Sequence, residues 1–596
     1  MDYPIEVRRH SAAHVMAAAI HRLFPKAKFG VGPVIENGFY YDIDIGRPLA
    51  EDEISKISDE MNTVVAENPS FVRQEISLDE AMKLFESLNQ PYKVELLRDL
   101  KTKGTTKVSA EEAQEVDPQN IGSVSIYKTG EFVDLCRGPH VAEAKEIGVW
   151  KLVKTSGAYW RGKEGNAQMQ RIYGWCFATE EELKAFQIMM EEAEKRDHKK
   201  LGPELDLFTF SDLVGPGLPL WTPRGTLLRN ILDDFVWQLR AKHGYERVEI
   251  PHITKKDLYE RSGHWEKYKD DLFKITTREG HEFAMKPMNC PHHTQIYARR
   301  LWSYRELPQR YANTTMCYRD EQSGELSGLS RVRGFTQDDA HVFCRMSQVK
   351  EEFLKVWDVI QDFYRAFGFS LRVRLSLHDP AHPEKYLGNP ERWHDAEGVL
   401  REIVNEKKVD WFEGVGEAAF YGPKLDFMAK DSIGRDWQVA TIQLDMNMPE
   451  RFDLVCINEG GDRERIVMIH CAIMGSIERF LSIAIEHFAG AFPLWMAPIQ
   501  VSVLPVADRH VLFAQTLANE LSEHGIRTSV DESSESVGKK IRQAEKLKVP
   551  RMLVVGDKEA NGGELTVRTR GEKDQAMLSK DKFIEQTLHA IRERLV

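Results

Sequence analysis

Three groups of side chains in this sequence are of the types that bind phosphate, hold a metal or activate water. The first is built from arginine. In CYRDEQSGELSGLSRVRGFTQDDAHVF (Cys317 to Phe343), Arg319 precedes a Gly/Ser-rich stretch and Arg331 and Arg333 follow it. Each guanidinium fork can bond two phosphate oxygens at once, so arginines flanking a flexible loop suit a polyphosphate. Taken alone, they favour a plain solvent-exposed hairpin. The second group is Cys290 in MKPMNCPHH, His341 in TQDDAHVFC and His470 at the end of RIVMIH. Cys, His and His would give zinc three protein ligands and leave a fourth position open, the pattern of a working site. A single buried histidine is more often a hydrogen-bonded core residue, and separations of 51 and 129 residues carry no weight by themselves. The third group pairs His10 and His14, one helical turn apart in HSAAHVMAAAIHRLF, with Cys136 and His140 in DLCRGPH. Spacing leaves a second zinc site and a water-activating hydrolytic site equally open.

These groups need elements to position them. Cys317 to Phe343 reads as strand, loop, strand. Because side chains alternate along a strand, Gln337, Asp339 and His341 share one face and Asp338 points the other way. Cys290 lies in a turn beside Pro291, and His470 closes an apolar strand just ahead of the helix-opening GSIERF. His10 and His14 sit on one face of a helix. Val349, Phe353, Val356, Trp357, Ile360, Phe363 and Phe367 recur at three- and four-residue steps and predict a core helix stopped by Gly368. Glu180 to Lys200 reads as one long charged helix ending at Gly202-Pro203, and the proline-rich connector near Pro493 closes the block that follows. From Ile499 short apolar strands alternate with helices, as in an α/β sheet.

At 596 residues the chain is too long for one core, and about three to five domains are expected. Lys and Arg number 81 against 93 Asp and Glu, a net charge of −12, which excludes a uniformly basic coat, so any nucleic-acid contact must be local. From Ile499 to the end the count is 16 basic against 15 acidic residues, with nine against four between Ser536 and Arg570. Seven scattered cysteines without a CxxC pair fit a reducing, cytoplasmic setting. The uncharged stretch Phe488 to Ala507 contains Pro493, Pro498, Pro505 and Gly490, which argues against a membrane helix. MDYPIEVRRH lacks an apolar signal core. The block between Gly202-Pro203 and Pro493 has no GxxxxGK[ST], no GxGxxG after a strand and no HExxH.

The strings SGLSRVRGFTQDDAHVF, GSIERF, MKPMNCP, EAAFYGPKLDF, HSAAH and DLCRGPH together resemble a bacterial-type threonyl-tRNA synthetase, from His10 to the C-terminus. The resemblance implies an α+β multidomain protein. Residues 1–200 would form an N-terminal α+β editing domain with a helical linker, 201–495 a class II catalytic core on an antiparallel sheet, and 496–596 a C-terminal α/β anticodon-binding domain. It implies a homodimer through the segment around Pro251, with motif two in the Arg319 hairpin and motif three in GSIERF. It assigns one Zn2+ per subunit to Cys290, His341 and His470, and threonine to Gln337, Asp339, Tyr421 and Gln443. ATP, with Mg2+, falls to Arg319, Glu321, Arg331, Phe335, Gln438 and Arg479. Arg319 and Arg479 are the implied catalytic pair, on the α- and γ-phosphates.

The same resemblance makes the N-terminal block a hydrolytic site for serine wrongly esterified to threonine tRNA, through His10, His14, Lys93, Asp134, Cys136 and His140, with Tyr41 as a further candidate; its metal is left unassigned. Glu559 and Arg568, with Lys539, Lys540 and Arg542, are the implied anticodon contacts. The family's small ubiquitin-like extension has no counterpart ahead of His10. Tyr318 and Ser327 stand where histidine is common, and Cys471 where arginine is. Cys471 is expected to pack. A non-catalytic RNA-binding regulator on the same scaffold is the alternative, disfavoured by the intact arginine and ligand set. The Cys/His/His set and the editing boxes separate the chain from prolyl and seryl enzymes.

Overall fold

A computed structural model describes residues 3–103, 122–162 and 165–596, which form two compact units, Met1–Glu191 and Glu192–Val596. In the first unit, helix α1 (Ile5–Leu23) is alanine-rich, the residue with the best helix propensity. Its Ala12, Ala13, Ala17 and Ala19 are buried with Phe39, Tyr41 and Ile43 of strand β1 (Gly38–Asp44). That strand belongs to a five-stranded sheet. Strands β2 (Ser123–Thr129) and β3 (Phe132–Leu135) form a second sheet with Phe71–Ser77. Lys93 comes from the helix Pro91–Lys103.

The charged helix is shorter than its composition suggests. Helix α2 (Glu180–Arg196) stops at Asp197, whose carboxylate accepts the Lys199 N–H and starts a new helix, α3 (His198–Glu204). Asparagine and aspartate are strong N-caps, so the break falls at Asp197 and not at Gly202-Pro203, which lie inside α3.

The second unit is organised on an eight-stranded sheet. After helices α4 (Pro223–Lys242) and α5 (Cys290–Tyr297) come strands β4 (Gln309–Tyr318) and β5 (Gly334–Cys344), helix α6 (Val349–Arg365), and strands β6 (Ser370–Leu377), β7 (Lys424–Lys430), β8 (Asp436–Asp445) and β9 (Val467–Ala472); helix α7 (Ile477–His487) follows. The order is Glu246–Arg247, β4, β5, β9, β8, β7, β6, Trp411–Val415, antiparallel except for the first and last pairs. Helix α6 matches the expected core helix, and Gly368 follows it at φ +72°, where a Cβ would be strained. Helices α4, α6 and α7 bury one sheet face with Leu375, Leu425, Phe427, Ile442, Leu444 and Ile469. The alternate residues, on the other face, are polar and build the site. The C-terminal sheet has five strands, parallel across Thr528–Val530, Val501–Pro505 and Arg551–Val555, then antiparallel to Leu565–Thr569 and Gln575–Leu578.

Candidate functional site

Strand order brings distant residues together. His341 on β5 and His470 on β9 are register partners, and α5 begins at Cys290. One ligand atom from each of Cys290, His341 and His470 lies within 4.8 Å of the others. His341 Nε2 is 3.1 Å from His470 Nδ1. The remaining ring nitrogens are occupied: His341 Nδ1 is 2.7 Å from His293 Nδ1, and His470 Nε2 is 2.9 Å from Asp445 Oδ2. That leaves His341 Nε2 and His470 Nδ1 facing Cys290, with outer partners fixing which nitrogen is offered. Burial pushes the Cys290 thiol well up and the His341 imidazole well down, so both are neutral unless a cation is present. A neutral imidazole is ready to ligate, and a dication would take the proton from the thiol. The donor set fits zinc.

Asp338 and Asp339 face opposite ways, as alternation requires. Asp338 accepts a hydrogen bond from Arg240 and from the N–H groups of Ile473 (3.0 Å) and Met474 (2.6 Å), tying α4 and the approach to α7 behind the sheet. Asp339 faces the site, accepts from Asn289 Nδ2 at 3.1 Å and is pushed up to about 6 by burial. Tyr421 donates to Gln443 Oε1 at 2.7 Å and stacks on His470 with ring centres 4.9 Å apart. Gln337 Oε1 accepts from the Cys317 thiol at 3.7 Å. Cys471 packs against Ala340 and Tyr245.

Along the hairpin, the Arg319 guanidinium lies between the rings of Tyr268 (5.5 Å) and Phe335 (5.2 Å), and its buried Nε has no hydrogen-bond partner among the described residues. Arg331 pairs with Glu321 at 2.7 Å and Glu325 at 3.0 Å. Arg479 occupies the first turn of α7, its N–H capped by Ser476. Gln438 is held at both ends: its Nε2 donates to Asp426 and its Oε1 accepts from Arg374. Asp426 is fully buried and also accepts from Ser376, Thr441 and Lys424.

In the first unit, one ligand atom from each of His10, His14, Cys136 and His140 again lies within 4.8 Å of the others. Cys136 Sγ is 3.3 Å from both His10 Nε2 and His140 Nε2. Burial lowers His10 to about 4 and puts His14 and His140 well below the usual range. All three are neutral at pH 7. Beside them Lys93, with no exposed surface, pairs with Asp134 at 2.8 Å, and the Tyr41 hydroxyl donates to the same carboxylate. Phe71 stacks on His140 with ring centres 5.0 Å apart.

The C-terminal residues differ in availability. Lys540 is buried, donating to the carbonyls of Pro505 (3.2 Å) and Asp531 (3.0 Å), so it braces the sheet instead of presenting charge to a ligand. The helix Val537–Lys546 turns that residue inward, whereas Lys539 remains exposed in a pair with Glu535. Glu559 accepts from Gly556 N–H and Thr566 Oγ1. Thr566 and Arg568 alternate with core residues Leu565 and Val567, which puts Arg568 and the Glu559 contact on the same outward face.

Comparison with known proteins gives this geometry its context. Residues 124–173 match the threonyl and alanyl tRNA synthetase second additional domain, 273–488 the tRNA synthetase class II core domain (G, H, P, S and T), and 500–589 an anticodon binding domain. The threonine–tRNA ligase of Gloeobacter violaceus is 48% identical over 98% of this chain and 92% of its own, and that of Geobacillus kaustophilus 44% over 100% and 89%. The chain belongs to the threonine–tRNA ligase family. Among solved structures, a putative threonyl-tRNA synthetase from Aeropyrum pernix is 32% identical with a TM-score of 0.60, covering 67% of this chain and 97% of that one. The RNA binding domain of the Cryptosporidium parvum threonyl-tRNA synthetase is 38% identical with a TM-score of 0.63, covering 66% and 98%. Among the described residues no helix is long and apolar enough to cross a membrane.

Sequence reasoning about this ligase-family chain missed the outer ring of the zinc-type cluster. Asp445 follows Thr441 and Gln443 at two-residue steps on β8, an alternation that was readable. His293 stands three residues after Cys290, on the same turn of α5. His264, 3.6 Å from Cys290 Sγ, and Lys286, buried between Asn289 and Thr315, left no comparable signal.

Proposed function

We propose that the chain joins threonine to ATP, forming threonyl-adenylate and pyrophosphate, transfers the threonyl group to the 3′ end of threonine tRNA, and hydrolyses seryl-tRNA at the separate site in its first unit. The observation that carries this reading is the Cys290, His341 and His470 cluster on the same sheet face as Asp339 and the Arg319 hairpin. Arg319 and Arg479 would hold the α- and γ-phosphates, Phe335 would stack on adenine, and Glu321 and Gln438 would lie near the adenosine. Arg331 would reach ATP by leaving or sharing Glu321. A threonine carboxylate oxygen attacks the α-phosphorus and the bond to pyrophosphate breaks; Arg319 and Arg479 would neutralise the developing charge, to which Mg2+ brought with ATP would add its own. These steps need positioning and no covalent enzyme intermediate.

Bound at Cys290, His341 and His470, Zn2+ would supply an open, charged coordination position for an amino alcohol. Asp339 would accept the threonine hydroxyl, while Gln337, Tyr421 and Gln443 close the pocket. A site that binds a hydroxyl rejects valine strongly, because its polar groups would be left unpaired. Serine lacks only a methyl, worth about 1–3 kcal/mol, and needs the second site. There His10, His14, Lys93, Asp134, Cys136 and His140, with Tyr41, would orient the ester and the attacking water. Glu559 and Arg568 are assigned to the anticodon, since RNA readout favours unstacked loop bases. A homodimer in the cytoplasm completes the reading. Threonine-dependent ATP–pyrophosphate exchange with zinc present tests it, and absence of exchange would sink it.

A further inference from the structure

Asp197, His198 and Glu486 form a third cluster of metal-ligand type, but its geometry points to another role. His198 is 3% exposed. Its Nδ1 donates to Glu486 Oε1 at 2.6 Å, its backbone N–H donates to the same oxygen at 3.2 Å, and its Nε2 accepts the Leu329 N–H at 3.0 Å. Both ring nitrogens are therefore used within the protein, and the Nδ1–H tautomer is fixed by the carboxylate. Arg435 holds the other Glu486 oxygen at 2.6 Å.

The residue reached by His198 lies in the turn that Ser327 and Arg331 close within the hairpin loop. Leu329 is fully buried, and Gly328 approaches so closely, at φ +51°, that a Cβ there would lie 2.3 Å from His198 Nε2. A cavity of about 440 Å³ is lined by Ser323, Leu326 and Gly328 of the loop and by Lys199, Phe208, Phe210 and Pro216. Helix α7 provides the seat. Glu478, Ser482 and Glu486 are spaced four residues apart and so share one helix face. Glu478 Oε2 accepts the Thr336 N–H at 2.7 Å, Ser482 Oγ meets Ser330 Oγ at 2.9 Å, and Glu486 reaches Leu329 through His198. The same helix carries Arg479 in its first turn.

We propose that His198 is a positioning residue for adenylate formation, fixing the turn within the arginine hairpin's loop to helix α7 and so setting the separation between the Arg319–Arg331 side of the triphosphate site and Arg479. The proposal rests on the assignment of ATP to that hairpin.

The test is ATP–pyrophosphate exchange on the full chain, with ATP and threonine varied separately, for His198→Ala, His198→Gln and Gly328→Ala. Removing the imidazole strands a buried N–H, and a KM for ATP raised about tenfold is expected, with the KM for threonine within about twofold of the parent. His198→Gln, which retains an acceptor, should recover most of the loss. A merely structural role would lower the melting temperature and kcat without separating the two KM values. If His198→Ala yields no folded protein, Gly328→Ala, which crowds the same contact from the loop, must show the same selective loss. Arg319→Ala, run alongside, separates the two readings: normal exchange there overturns the ATP assignment, whereas an inactive Arg319→Ala beside an unchanged ATP KM in His198→Ala overturns the anchoring alone.

Discussion

Replacing Asp445 with asparagine isolates the control of one imidazole tautomer. Asp445 Oδ2 faces His470 Nε2 at 2.9 Å, while Oδ1 accepts the N–H groups of Asn447 at 2.7 Å and Met448 at 2.9 Å. An asparagine keeps its carbonyl on those two N–H groups, because turning it would leave both without an acceptor. Its NH2 then faces His470, which can accept only if Nε2 carries no hydrogen. The proton moves to Nδ1, the nitrogen that faces His341 and the one offered to a metal. A protonated Nδ1 cannot ligate. Loss of an outer partner of this kind lowers metal affinity about 10–100-fold, or about 1.4–2.8 kcal/mol, and the forced tautomer places Asp445→Asn at the upper end. Competition against a chromophoric zinc chelator at fixed pH measures it directly. Threonine activation should fall in parallel and recover with excess zinc. Zinc affinity within about threefold of the parent would refute the reasoning.

Three further outcomes are expected. His10→Ala combined with His14→Ala abolishes deacylation of seryl-tRNA and leaves threonine activation near normal; unchanged deacylation removes the assignment of the first unit. Arg479→Ala lowers pyrophosphate exchange by about 10²–10³, the scale for a lost charge-stabilising contact, and isothermal titration with threonine should show no matching loss. Because His10, His14 and His140 have folded pKa values held below the ordinary 6.5, the unfolded chain takes up protons that the folded unit refuses as pH falls below 6.5. Stability of the metal-free first unit therefore declines from that point, for His10 down to about pH 4. Hydrogen exchange of α1 between pH 7 and 5 should show the decline, and His140→Ala should make it shallower; identical slopes would contradict it.

How much of this was readable depended on whether the relation was local. The opposed faces of Asp338 and Asp339, the one-face placement of Gln337, Asp339 and His341, and helix α6 all follow from periodicities of two and 3.6 residues. The meeting of Cys290, His341 and His470 does not, because it depends on β9 inserting between β5 and β8, an arrangement without a short-range signature. Family resemblance supplied it. Asp445 was hidden for the same reason, although its strand pattern was plain. Lys540 illustrates a different failure: counting charges between Ser536 and Arg570 registers a positive group but not the direction in which its helix turns it. The break at Asp197 was local and legible as a cap, but the surrounding charge disguised it.

On the proposed assignment of Asp339 to the threonine hydroxyl, its adjacency to Asp338 restricts how the pocket of this chain can change. One carboxylate is anchored behind the sheet by Arg240 and two amides, and its neighbour faces the pocket. A single-residue insertion between Gly334 and Asp338 would turn Gln337 toward Arg240 and Asp338 toward the other face, and leave the Arg240 charge buried without its carboxylate, at about 3–5 kcal/mol. Pocket variation on this strand is thus confined to substitution in place. Lengthening the strand there carries a folding cost that does not depend on which amino acid the pocket takes.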